Sequence, residues 1–174
     1  WEKGASILAD AAQRLERAGA DFIVICTNTM HKVAPQVQSA VSLPLLHIAD
    51  ATAQELKKKS IYKVGLLGTK YTMEQDFYKA KLHEAGLEIL VPEEGDRNKI
   101  NTIIYHELCS GIIDNNSKQS VLAIIDKLAA QGAQGVILGC TEIGLLIQQE
   151  DSNIPLFDTA CIHAQRAALY ALGR

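Results

Sequence analysis

Two cysteines carry the reactive potential of this 174-residue chain, and each opens a small polar motif. Cys26 leads into Thr27-Asn28-Thr29-Met30-His31, and Cys140 leads into Thr141-Glu142-Ile143. Each follows an apolar run of strand length and precedes sequence with helical spacing. A free thiol has a pKa of about 8.5, so a small fraction is thiolate near neutrality. One thiolate can take a proton from carbon on one face while an opposed thiol delivers a proton to the other. That is stereoinversion by two bases, and it requires neither a metal nor pyridoxal phosphate. Helix N-termini stabilise thiolates, so a lowered pKa is expected at both cysteines.

The α-proton of an amino acid is a very weak acid, so the carbanionic transition state needs preorganised donors around it. Thr27, Asn28, Thr29 and Thr141, with the backbone N–H groups beside them, are the small donors suited to hold a carboxylate. Glu142 has three readings: it accepts the substrate amine, it modulates Cys140, or it caps the helix that follows. A lone cysteine at a strand end is ordinarily a small buried hydrophobe. A second one at the matching position of a repeat, again followed by threonine, turns the balance toward chemistry. Cys109 and Cys161 have no such context and read as structural. His31 and His47 either tune the first thiol or are satisfied structural histidines; His83 and His106 read as surface residues. Gly65-Leu66-Leu67-Gly68-Thr69 matches neither GxGxxG nor GxxxxGK[ST], so it gives little support for a nucleotide.

The elements that must position these groups alternate. Apolar spacing predicts helices over 4–18, 51–59, 71–85, 98–108, 141–149 and 160–172, and another after 117 capped by Ser117. A further helix over 30–41 is interrupted by Pro35, which demands a kink or a late start. Strands are expected at 22–25, 45–48, 63–69, 87–91, 136–138 and 156–157. The run at 22–25 lacks polar alternation, as in a parallel strand covered on both faces. Strand–helix alternation throughout specifies an α/β fold with mainly parallel sheets flanked by helices.

The motif pair belongs to a longer repeat. Gly19-Ala20 echoes Gly132-Ala133, Leu43-Pro44-Leu45 echoes Ile154-Pro155-Leu156, and His47-Ile48-Ala49 falls opposite Asp158-Thr159-Ala160. A duplicated unit predicts two pseudo-symmetric lobes, the first comprising 1–60 with 159–174 and the second 61–158. Ligands of open α/β sheets sit beyond the carboxyl ends of the strands, so Cys26 and Cys140 are expected on opposite walls of one cleft. The second unit opens at Val64, so far ahead of Cys140 that an equal first unit would begin well before Trp1. The first lobe is therefore expected to be incomplete at its N-terminal side.

Composition narrows the function classes. The chain is 48% hydrophobic and 21% charged, which suits a packed core. A net charge of −3 supplies no basic footprint for nucleic acid. No apolar run approaches a bilayer span, so no membrane partner is expected. The four cysteines lack CxxC spacing, which argues against zinc and thioredoxin-type sites, and they read as reduced cytoplasmic thiols.

Taken together, Cys26-Thr27-Asn28-Thr29-Met30-His31, Lys63-Val64-Gly65-Leu66-Leu67-Gly68-Thr69 and Gly139-Cys140-Thr141-Glu142-Ile143 resemble the aspartate/glutamate racemase family, closest to its aspartate and broad-specificity amino-acid branch. The resemblance covers essentially the whole chain. It implies Cys26 and Cys140 as the catalytic acid/base pair. It further implies Thr27, Asn28 and Thr29 as carboxylate ligands, with Thr141 and Glu142 on the second wall. It also implies a cofactor-independent, two-lobed, commonly homodimeric enzyme with a small amino-acid substrate, aspartate or glutamate foremost. Hydantoin racemase and maleate isomerase chemistry, or a catalytically silent ligand-binding protein, are the alternatives.

Overall fold

The computed structural model describes residues 1–173; Arg174, the last residue assigned above to the first lobe, lies outside them. Among the described residues the strands form two parallel sheets. β1 (Ile23–Val24) pairs with β2 (Leu45–Leu46), and a second sheet has the order β4-β3-β5-β6. Its strands are β3 (Lys63–Gly68), β4 (Glu88–Leu90), β5 (Val136–Gly139) and β6 (Leu156–Asp158). The α/β class and parallel pairing follow the strand–helix alternation of the sequence.

β3 and β5 lie at the centre and are buried almost throughout, which is why neither alternates in polarity. Their side chains still alternate in direction. Leu67, Val136 and Leu138 meet the helices α6 (Glu94–His106), α7 (Asn115–Ala130) and α8 (Ile143–Leu146) through Ile100, Ile104, Ile125, Leu128 and Ile143. Val64, Leu66 and Ile137 face the other way, toward Ile48 and Leu56 of α3 (Ile48–Lys58) and Tyr78 and Leu82 of α5 (Asp76–Glu84). A third cluster joins α1 (Glu2–Arg17), β1 and α2 (Ala34–Ser39) through Ala12, Ile23, Ile25, Val33 and Val37.

The repeat is visible bond by bond. Ile23 pairs with Leu45 as Val136 pairs with Leu156. The Ile23 amide donates to Pro44 O at 2.9 Å, and the Val136 amide to Pro155 O at 2.8 Å. Gly19 and Gly132 follow α1 and α7 in the left-handed conformation, with φ of +86° and +95°. Where the halves differ is beside β1. β5 is flanked by β3, and Leu128 of α7 packs over that strand so closely that a Cβ on Gly65 would lie 2.9 Å from it. Leu15 precedes Gly19 as Leu128 precedes Gly132, yet among the described residues β1 pairs only with β2, and Leu15 is 52% exposed.

Several boundaries differ from the sequence reading. The helix expected over 71–85 is two, α4 (Lys70–Glu74) and α5, because Gln75 is extended at φ −84°, ψ 154°. Lys32 Nζ donates to the Gln75 side chain at that break, over 2.7 Å. α6 starts at Glu94 rather than 98, its acidic first turn complementing the helix dipole. α7 is capped by Asp114, whose Oδ1 accepts from the Asn116 and Ser117 amides, so Ser117 sits inside the helix instead of capping it. The helix after Cys140 spans only Ile143–Leu146, and the chain becomes extended at Ile147. α3 begins at Ile48, where a strand was expected to continue. Pro35 enters at the start of α2 after a short 3-10 turn over Thr29–Val33, the late start its ring imposes. The last helix is α9 (Thr159–Ala171).

Candidate active site

The carboxyl ends of β1, β3 and β5 open onto one cleft of about 360 Å³. Cys26, Thr27, Asn28, Thr29, Cys140, Thr141 and Glu142 all line it, together with Met30, Thr69, Ile104, Tyr105, Cys109 and Gly139. Glycines permit the close approach of the two central strands here. Gly68 pairs with Gly139, and a Cβ on Gly139 would stand 2.7 Å from Leu67 O.

On the first wall Cys26 is exposed and the loop behind it is held by buried polar bonds. His31 is 2% exposed. Its Nε2 accepts from the Ile48 amide at 3.1 Å, so the proton is on Nδ1, which donates to Thr27 O at 2.7 Å. Burial, with the positive charges that His47 and His163 would carry, lowers its pKa to about 3. With both nitrogens engaged it is a neutral staple between the Cys26 loop and α3, not a proton carrier. His47 caps α3, accepting from the Ala49 amide; burial first and Lys81 second lower its pKa to about 4. His163 is buried and donates to Leu46 O at 2.7 Å.

Asn28 is 2% exposed and spends its amide on Thr159 Oγ1 at 2.9 Å, while the Thr159 hydroxyl donates to Leu138 O at 2.8 Å. Because that hydroxyl's proton is used on Leu138, the Asn28 group facing it must be the NH₂. Asn28 Oδ1 is left buried with no protein partner. An unpaired buried acceptor is costly unless a ligand meets it. Thr29 and Thr69 hydroxyls lie 3.2 Å apart and link the loop to the start of α4.

The second wall behaves differently from the sequence expectation of a stabilised thiolate. The Cys140 thiol donates to Glu142 Oε2 at 3.0 Å, and the Thr141 hydroxyl donates to the same oxygen at 2.7 Å. Burial first, then the hydrogen bond to Glu142, push the Cys140 pKa up to about 12. The short α8 offers too little dipole to offset this. Burial works against the Glu142 carboxylate too, but the bonds from Cys140 and Thr141 outweigh it and hold its pKa below the ordinary carboxyl value. Glu142 makes no side-chain cap to α8, which removes the capping reading.

Three polar wall residues escaped the sequence reading. Thr69 follows the Gly65–Gly68 stretch, whose spacing fits no nucleotide motif, and Tyr105 belongs to a segment whose apolar spacing signals only a helix. Cys109, taken as structural, is exposed in the turn after α6 and lines the cleft. Cys161 is elsewhere, on α9. A separate cavity of about 320 Å³ lies beyond His31, lined by Leu45, His47, Phe77 and Lys81 among others, and holds neither thiol.

Residues 1–167 match the family model described as Asp/Glu/Hydantoin racemase. A broad-specificity amino-acid racemase of Bacillus subtilis is 28% identical over 167 residues, covering 94% of this chain and 70% of that protein. A crystal structure of a candidate Asp/Glu racemase from Yersinia pestis superposes with a TM-score of 0.94 at 54% identity, over 99% of this chain and 75% of its own. An aspartate racemase homologue from Pyrococcus horikoshii gives a TM-score of 0.89 at 43% identity, over 98% and 75%.

Proposed function

The chain belongs to the Asp/Glu/Hydantoin racemase family, and on that premise we propose that it racemises a small amino acid, aspartate or glutamate foremost, with Cys26 and Cys140 as the two bases. The observation that carries the reading is the cleft itself, in which both thiols and the Thr-Asn-Thr loop share one small space.

In this reading the amino acid lies between the walls with its Cα–H toward one sulfur. Thr27 and Thr29, with the loop's N–H groups and Thr69, hold the α-carboxylate. Asn28, with its Nδ2 committed to Thr159 and its Oδ1 buried, shapes this loop from behind instead of meeting the carboxylate through its side chain as the sequence suggests, and Thr141 and Glu142 face the ammonium from the second wall. One thiolate removes the Cα proton, negative charge spreads into the carboxylate held by these donors, and the opposite thiol protonates the other face. The sulfurs have then exchanged protonation states and reset through solvent. Neither step calls for a redox change or a covalent intermediate. The reading carries with it the homodimer that the family resemblance implies and the cytoplasmic location read from the reduced thiols. Among the described residues no helix is long and apolar enough to cross a membrane.

The test is a panel of single-enantiomer amino acids, including aspartate and glutamate, incubated with the purified protein and resolved by chiral chromatography. Appearance of the opposite enantiomer of at least one acidic substrate is expected. No inversion of any amino acid would sink the proposal.

A further inference from the structure

The two thiols of the cleft are not equivalent, and the difference has a structural source. Cys26 is exposed, whereas Cys140 is 9% exposed and bonded to a carboxylate. From that geometry we propose that Glu142 is a positioning residue that keeps Cys140 in the proton-carrying thiol form, so that the resting cleft presents Cys26 as base and Cys140 as acid. The inference rests on the two-thiol reading above and adds to it the residue that sets the asymmetry.

The titratable groups around Cys140 all point the same way. Glu142 faces it from its own turn, Cys109 from the turn after α6, Tyr105 from the end of α6, and Cys26 from the opposite wall. Each is an acid, and among the residues lining the cleft none is a lysine or arginine that could stabilise a Cys140 thiolate. One carboxylate oxygen, Glu142 Oε2, receives both the Cys140 and Thr141 protons, which orients the thiol and locks the threonine rotor. Ionising Cys140 would break that bond and set a thiolate beside a carboxylate in a partly desolvated site. The direct alternative, passing the Cys140 proton to Glu142, is steeply uphill because the shifts of the two groups diverge. Glu142 therefore acts as the anchor of the donor and not as a relay base.

In a turnover Cys26 thiolate takes the proton from Cα and Cys140 gives its own to the opposite face. The cleft is left with a Cys26 thiol and a Cys140 thiolate, and solvent exchange restores the resting arrangement. The opposite enantiomer is taken by the form that turnover leaves, Cys140 thiolate and Cys26 thiol, before exchange resets it, and the two roles are then reversed. Because free enantiomers are equal in energy, kcat/KM must stay equal in the two directions in every variant, so the effect appears in the pH dependence.

The experiment compares wild type, Glu142→Gln and Glu142→Asp in two readouts. The first is iodoacetamide labelling of Cys140 against pH, followed by peptide mass spectrometry, with folding checked by thermal melts. It requires no substrate and so stands apart from the racemase reading. Wild type and Glu142→Asp, which keep the charge, should label slowly up to alkaline pH. Glu142→Gln should label about 10-fold faster at a given pH, as expected if its thiolate population rises by one pKa unit. The second readout is the pH profile of kcat/KM, in which the alkaline limb should move to lower pH in Glu142→Gln and stay near wild type in Glu142→Asp. A folded Glu142→Gln whose Cys140 labels with wild-type pH dependence overturns the proposal, whether or not the protein racemises any amino acid.

Discussion

Asn28 Nδ2 donates to Thr159 Oγ1 across 2.9 Å, joining residues 131 positions apart. Thr159 passes the connection to Leu138 O on β5, two residues before Cys140. The loop that carries Cys26 and the strand that delivers Cys140 are therefore tied by two successive buried hydrogen bonds. Thr159→Val removes the link while keeping the side-chain shape. It leaves the Asn28 amide and the Leu138 carbonyl short of a partner, costing about 1–3 kcal/mol for each buried group left unpaired. A drop in denaturation midpoint should accompany a larger fall in kcat/KM than the lost stability explains. Unchanged kinetics in a folded Thr159→Val would mean that the tie does not position the loop.

Gly139 permits the approach of β3 and β5 at the mouth of the cleft, where a Cβ would stand 2.7 Å from Leu67 O. Backbone cannot yield as a flexible side chain can, so Gly139→Ala should destabilise by about 1–3 kcal/mol and displace Cys140. Urea melts and inversion rates measure the two effects. Wild-type values in both would contradict the tight packing described for this strand end.

The buried histidines make stability depend on pH. His31 and His47 have pKa values lowered to about 3 and about 4, chiefly by burial, from an ordinary 6.5. Between the folded and unfolded values the unfolded chain binds more protons, so stability rises with pH there. Their contribution is complete above pH about 6.5 and is lost as pH falls toward about 4 for His47 and about 3 for His31. For His31, 2% exposed, the full shift corresponds to a loss on the order of several kcal/mol. Melts across this range should show the midpoint falling with acid, and His31→Gln should be less stable at neutral pH with a shallower dependence. An acid-insensitive wild type would contradict the neutral-staple role.

The class of fold, the repeat and the convergence of the polar residues were legible because they rest on short-range regularities. Helix faces such as Val121, Ile124, Ile125 and Leu128 recur at helical spacing, and each is indeed buried. Gly19 and Gly132 mark helix ends because only glycine enters that backbone region freely. What stayed hidden depends on contacts distant in sequence. The break at Gln75 has no glycine or proline to announce it. Thr69 and Cys109 reach the cleft only through the packing of β3 and α6. The high pKa of Cys140 arises from burial and one carboxylate, against a helix-dipole expectation that assumed a longer helix than α8. Asn28 could be read as a ligand residue, but which of its two groups is free follows from Thr159, far along the chain.

The most direct test of the central claim is the initial rate at which one amino-acid enantiomer is inverted by Cys140→Ala, with Cys26→Ala and Cys161→Ala alongside wild type. The two-thiol account predicts that either cleft variant loses inversion by at least about 10³-fold, in line with removal of a positioned acid or base, while Cys161→Ala keeps it. Inversion at the wild-type rate by a folded Cys140→Ala would contradict the account.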